Sequence, residues 1–339
     1  LRADEAAFLR PAKDPAVRDK LLLRYRNLVA LRVSRFQLEV DYLSVTPTPD
    51  RWQGELVVSF CFVLPDCVLD QLSEPAVWAQ TPGGLELISL ELPKDPPGWF
   101  GDPQPFEQTE LVVAHGDRVL VAAPKSLAGR LPAVLAAAQA AVPVADSYSI
   151  GKPPDQYRVY LADSKAWKTW YNYAPPAWVA GYASPIGSTH TDIVLNNAHS
   201  RASYLPEMLR HEMTHASTVQ GSHRWEGNWW LIEGIADVAG NFNARPTSEL
   251  RRYIRSGWDR KLPGDGPADD ASDTEAERLY GIAFLAVKRI ETKFGREKLL
   301  RFFEWVVEFG LKFDVASTSA FNVPWAEVEA DLLAAVRAA

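Results

Sequence analysis

The chain is 339 residues long, 47% hydrophobic and 23% charged, a composition that excludes disorder as the default and leaves room for two domains or one large one. Its formal charge of -7, without any basic run or stripe, excludes a nucleic-acid backbone or an acidic membrane surface as the main partner. No apolar run approaches the ~20 residues that span a bilayer, so no transmembrane segment is expected.

The chain begins at Leu1 inside a helical pattern, "LRADEAAFLR", with no signal-like segment. The expectation is that upstream sequence carrying a signal or anchor has been trimmed, and that the protein works outside the cytoplasm, secreted or at the cell surface. Residues 3–32 read as helix, interrupted near Pro11 and Pro15, with "RDKLLLRYRNLVAL" apolar at helical spacing. Short runs rich in Val, Leu and Phe follow: "RFQLEVDYLSV", "GELVVSFCFVL", "LELISLEL" and "TELVVAHGDRVLVAAP", the last with "HGD" as a tight hairpin turn around His115. Residues 33–123 therefore read as a curved antiparallel sheet behind an N-terminal helix. Cys61 and Cys67 are either two buried thiols beside a strand or a local disulfide; no second Cys or His pair lies near enough for a zinc knuckle.

An alanine-rich amphipathic helix over 126–142 links the two halves. "QYRVYLA" then reads as a strand, "DSKAWKTWY" as a helix capped by Asp163 or Ser164, and "AWVAGYAS" and "TDIVLNN" as two more strands. Beyond residue 203 the pattern turns helical, with segments expected at 204–219, 229–242, 246–256, 273–293, 297–308 and 324–337. A few strands followed by many helices give an α+β fold with segregated elements. The division drawn is an N-terminal α+β domain over 1–124 and a second domain, a small sheet and then mostly helices, over 125–339.

The chemistry lies in "YLPEMLRHEMTHASTVQG". Residues four apart stack on one helix face, so His211 and His215 can present both imidazoles to one metal ion, which suits tetrahedral zinc. Glu212 points beside that ion, where it can take a proton from an activated water. Zinc needs a third protein ligand, and "WWLIEGIADVAG" supplies Glu233 on a second helix, with Asp237 one turn further on to accept the remaining N–H of a ligand histidine. As core packing, these two helices would bury charges without partners.

"HEMTH" followed by "WWLIEGIADVAG" resembles the gluzincin metallopeptidases, the thermolysin and aminopeptidase-N-like group, over roughly residues 155–310. The resemblance implies one Zn2+ per chain on His211, His215 and Glu233, Glu212 as general base, Asp237 behind a ligand histidine, and a peptide or protein substrate. It also implies that the backbone of Gly181, Tyr182, Ala183 and Ser184 pairs with an extended substrate. "RLYGIAFLAVKRIETKFG" is similar to a helix that in aminopeptidase-type members begins with a tyrosine donating to the tetrahedral intermediate; Tyr280 stands there, its alternative being a tyrosine packed at a helix start. "AGYAS" lacks the exopeptidase motif of the aminopeptidases, so an endopeptidase is expected. The competing reading is a catalytically silent zincin-fold protein that binds a peptide or cell-envelope ligand. The N-terminal segment resembles the start of a nuclear transport factor 2-like cone, which implies a packing or substrate-presenting role. Of the other histidines, His223 is read as a loop residue, its alternative being to assist the intermediate, His190 and His199 as surface residues, with His190 alternatively lining the cleft, and His115 as remote. Trp225, Trp229 and Trp230 are either an apolar wall of the cleft or core behind the two helices.

Overall fold

The structure, a computed structural model, describes all residues except 1–3, 47, 65–68, 91–102, 187–189, 220–226 and 243–246. His223, Trp225 and Cys67 lie outside the described residues. The fold is α+β with two sheets. Contacts divide it into two compact units, one of residues 1–135, 158–174 and 184–198, the other of 136–157, 175–183 and 199–339. This division interleaves along the chain and differs from a single boundary at 124/125.

The first unit opens with helices α1 (Glu5–Leu9) and α2 (Pro15–Ala30), each started by an aspartate, Asp4 and Asp14, whose carboxylate accepts from the first free backbone N–H groups. Strands β1 (Val33–Val45), β2 (Arg51–Phe62), β3 (Asp70–Thr81) and β4 (Gly84–Leu90) form an antiparallel sheet in chain order. Register sets one apolar face: Val58 opposes Leu72 and Leu56 opposes Glu74, and all but Glu74 are buried aliphatics. Glu74 sits in that face because Arg24 of α2 reaches it at 2.9 Å and also binds Glu107 at 2.7 Å. Burial raises the Glu107 pKa well above the usual carboxylate range, although Arg24 opposes it. Cys61 is disulfide-bonded, and Cys67 is the only other cysteine in the chain.

After α3 (Pro105–Gln108), strands β5 (Leu111–His115) and β6 (Val119–Pro124) form the expected hairpin but do not continue the first sheet. They belong to a second sheet of order β5-β6-β7-β9-β8, with β7 (Tyr157–Ala162), β8 (Gly181–Ile186) and β9 (His190–Asn196). Here β7 and β9 run parallel, Arg158 opposite Asp192. Arg158, 2% exposed, donates to Asp192 at 2.5 Å and to Asp70 at 2.6 Å, tying both sheets through one buried cation. His190 departs from the surface reading: it is half-buried, its side chain 21% exposed, and burial with the nearby Arg158 guanidinium holds its pKa well below the ordinary value. His199 is exposed, as expected.

Between the sheet strands lie α4 (Leu131–Asp146) and the short α5 (Ala166–Thr169), whose N-cap position is Lys165 rather than Asp163 or Ser164; Asp163 accepts from the Lys165 and Ala166 N–H groups in the turn before it. By length and composition alone the helical stretch Lys125–Asp146 passes for a membrane span. Its Leu131, Val134, Ala138, Ala141 and Ala145 are buried at helical spacing, the pattern of a helix packed against protein.

The second unit carries α6 (Leu205–Thr218), α7 (Trp229–Gly240), α8 (Ser248–Ser256), α9 (Asp273–Phe294), α10 (Arg296–Phe303), α11 (Phe313–Phe321) and α12 (Trp325–Ala338). Helix α9 starts in a capping box of Ser272 and Glu275, and α7 ends on Asn241 in the left-handed conformation. Trp230, Phe302, Phe313 and Trp325 pack their rings together, which settles Trp230 as core. The crossing of α7 and α9 depends on Gly234: a Cβ there would lie 2.5 Å from Val287 Cγ2 and 2.7 Å from the Ala283 carbonyl oxygen. Gly234→Ala is therefore expected to destabilise by about 1–3 kcal/mol in denaturant titration, despite the better helix propensity of alanine.

Candidate metal centre

Helices α6 and α7 pack together within the second unit and bring His211, His215, Glu233 and Asp237 to one place. On each helix the paired residues are one turn apart, so both face the same way. The first N–H groups of α7 are spent on a loop, Trp229 donating to the Gly264 carbonyl at 3.0 Å and Trp230 to that of Pro263 at 3.2 Å. That anchors the helix that carries Glu233.

Three atoms form a nearly regular triangle: His211 Nε2 and His215 Nε2 are 3.1 Å apart, and each is 3.3 Å from Glu233 Oε2. Ligands at ~2.0–2.1 Å in a tetrahedral zinc shell stand about 3.3–3.4 Å from one another, so the triangle has the size of one tetrahedral face. His211 Nδ1–H donates to Asp237 Oδ1 at 2.9 Å, which fixes the tautomer and leaves Nε2 with its lone pair toward the triangle. Three acceptor atoms then share one point. A single proton can join only two of them, whereas a divalent cation satisfies all three. His211, His215 and Glu233 are thus the residues that could hold a metal ion.

Charge agrees with this arrangement. His211, Glu212, His215, Glu233 and Asp237 are all less than 9% exposed. Two neutral imidazoles, the Glu233 and Asp237 carboxylates and a dication sum to zero, leaving Glu212 as the one net charge. Considered as side chains alone, the cluster redistributes protons. Burial pulls the His211 imidazolium down, but hydrogen bonds to Asp237 and Glu233 outweigh it and hold its pKa well above the ordinary value. For Glu233 burial acts upward, yet the two imidazoles hold it below the usual carboxylate range. Glu212 goes the other way: burial raises its pKa, with both histidines opposing.

Glu212 has a further neighbour that spacing could not show. A Cβ on Gly181 would come within 2.6 Å of Glu212 Oε1 and 3.1 Å of its Cδ, so the Glu212 carboxyl rests directly on the Cα of Gly181. Only glycine permits that approach. Gly181 starts β8, the edge strand of its sheet, and Gly181, Tyr182 and Ala183 belong to the same unit as the helices, while Ser184 begins a stretch of the first unit.

Tyr280 lies in the second turn of α9, partly exposed, and its ring stands edge-on to Trp229 at 4.9 Å and 6.4 Å from the His211 ring. Trp178, 6.3 Å from Tyr280, and Phe242, 5.7 Å from His211, complete an aromatic corner. Neither was marked by the sequence, since no spacing rule links residues 178, 242 and 280. Trp229 is buried and serves this corner as well as the core. His115, in the first unit, has its Nε2 2.9 Å from the Ala30 carbonyl.

No family model matches the chain, and no curated protein does. Among solved structures, a native yeast LTA4 hydrolase is similar at 12% identity and a TM-score of 0.40, the match covering 85% of this chain and 65% of that one. The chain thus spans just under two thirds of that protein's length. An M1 zinc metallopeptidase from Deinococcus radiodurans is similar at 14% identity and a TM-score of 0.42, with 90% of this chain and 94% of that one covered. Likeness of this order assigns neither family nor chemistry, and what the centre can do rests on its own side chains.

Proposed function

We propose that the chain is a zinc-dependent peptidase, most simply an endopeptidase, with His211, His215 and Glu233 holding one zinc ion. The observation that carries this reading is the triangle of two imidazole nitrogens and a carboxylate oxygen, with a second carboxylate on His211 and a third, Glu212, left over. Held by these three residues, a zinc ion would supply Lewis acidity, lowering the pKa of water to ~7 and polarising a carbonyl. Glu212 takes the proton of the attacking water and delivers it to the leaving amine. Tyr280 donates a hydrogen bond from its hydroxyl to the carbonyl oxygen as charge develops there, keeping its proton. Asp237 keeps His211 in the ligating tautomer.

The β8 backbone from Gly181 to Ser184 receives the substrate as an added strand, a role its edge position supports. Gly181 would serve twice, pairing with substrate and seating Glu212. Gly181→Ala is expected to lower turnover at least tenfold (~1.4 kcal/mol of barrier) at unchanged zinc content, read by cleavage rate beside metal analysis. The disulfide at Cys61 favours an oxidising compartment and hence an extracytoplasmic substrate.

The testing experiment is a mass-spectrometric cleavage profile on an unstructured casein-like protein, with and without a chelator. Internal cleavage abolished by the chelator and restored by zinc is the expected result. Stoichiometric zinc with no turnover on any substrate would leave the silent, peptide-binding reading in its place.

A further inference from the structure

We propose that the outer edge of β1 is a self-pairing surface, on which a second copy of the chain adds its own β1 antiparallel, joining two four-stranded sheets into one of eight strands. The inference is independent of the metal centre. Strand β1 is the end strand of its sheet, and among the described residues its outer edge has no ladder partner. Its register against β2 is regular from Arg35 to Val40, long enough to template another strand, and shifts on either side.

The side chains along this run choose the partner. On one face, Phe36, Leu38 and Val40 lie opposite Phe60, Val58 and Leu56 of β2. The β2 residues are buried, but Leu38 is 49% and Val40 43% exposed, so the apolar face continues past the sheet's covered part to its open edge. On the other face stand Arg35, Gln37, Glu39 and Asp41, all exposed, and among the described residues none of the three charged groups has an ion pair. A parallel copy in register would set Glu39 against Glu39 and Asp41 against Asp41. An antiparallel copy centred on Leu38 does the reverse. Arg35 then faces Asp41 of the second copy, Gln37 faces Glu39, Phe36 faces Val40 and Leu38 faces itself. Twofold symmetry repeats each rung, as an isologous contact requires. Asp41 stands at the start of the Val40/Leu43 register shift, so the Arg35–Asp41 rungs are the last of the run, and because both copies use the same edge the contact closes as a dimer.

Sedimentation of the full chain over a wide concentration range tests this. The wild type is expected to pass from monomer to dimer. Asp41→Arg, which sets two arginines face to face on each outer rung, is expected to raise the dissociation constant about tenfold or more. Adding Arg35→Asp to that variant restores the dimer with the charges exchanged, and that rescue separates pairing from a folding defect. Leu38→Cys is expected to cross-link two copies on oxidation. A wild type that stays monomeric at every concentration would overturn the proposal, leaving this edge to an extended segment of another protein. A dimer indifferent to Asp41→Arg would overturn it equally, by placing the contact elsewhere.

Discussion

Glutamine in place of Glu212 is expected to leave one zinc per chain and to lower peptide hydrolysis by about two to four orders of magnitude, the usual contribution of a positioned acid-base group. The side chain keeps its volume and its seat on Gly181 but can no longer accept a proton. His215→Ala, in contrast, removes one corner of the triangle and is expected to lose metal and hydrolysis together. Elemental analysis of both purified variants beside cleavage of the casein-like substrate reads the difference. Wild-type hydrolysis by Glu212→Gln would remove the assigned base while leaving the metal assignment standing.

Tyr280→Phe is the second large effect. Losing one donor to a developing oxyanion costs about 10²–10³ in turnover, or ~3 kcal/mol. The ring is wedged against Trp229 and close to Trp178, so phenylalanine keeps the packing and loses only the hydroxyl. The fall is expected in kcat, with KM little changed, because the hydroxyl acts on the transition state more than on bound substrate. A variant with unchanged kcat would return Tyr280 to a packing role within α9, two turns from its start.

Much of the centre could be read from spacing, since helical periodicity is local information. "HEMTH" and "EGIAD" each place two side chains one turn apart, and the helices carrying them run over Leu205–Thr218 and Trp229–Gly240, against the 204–219 and 229–242 expected. The apolar pattern likewise marked α9, expected over 273–293 and found over Asp273–Phe294. What spacing could not give is who pairs with whom. The 111–124 hairpin looked like a continuation of the first sheet, yet β6 neighbours β7, more than thirty residues on, and nothing local to either strand encodes that choice. Within the parallel β7–β9 pair the buried Arg158 meets Asp192, and it also meets Asp70, a grouping of three charged residues far apart in the chain that no local pattern marks. Helix α11 escaped notice because "FDVASTSAF" mixes β-branched and hydroxyl residues of poor helix propensity and is held by packing around Phe313 and Phe321. Gly181 was marked as backbone for substrate, but its contact with Glu212 links positions thirty-one residues apart and is visible only in three dimensions.

X-ray absorption at the zinc edge of the loaded, unmodified chain reads the metal's ligands. One zinc per chain is expected in a shell of nitrogen and oxygen at about 2.0–2.1 Å, with the multiple-scattering signature of two imidazoles. A chain that takes up no zinc, or that binds it without imidazole scattering, would contradict the metal assignment.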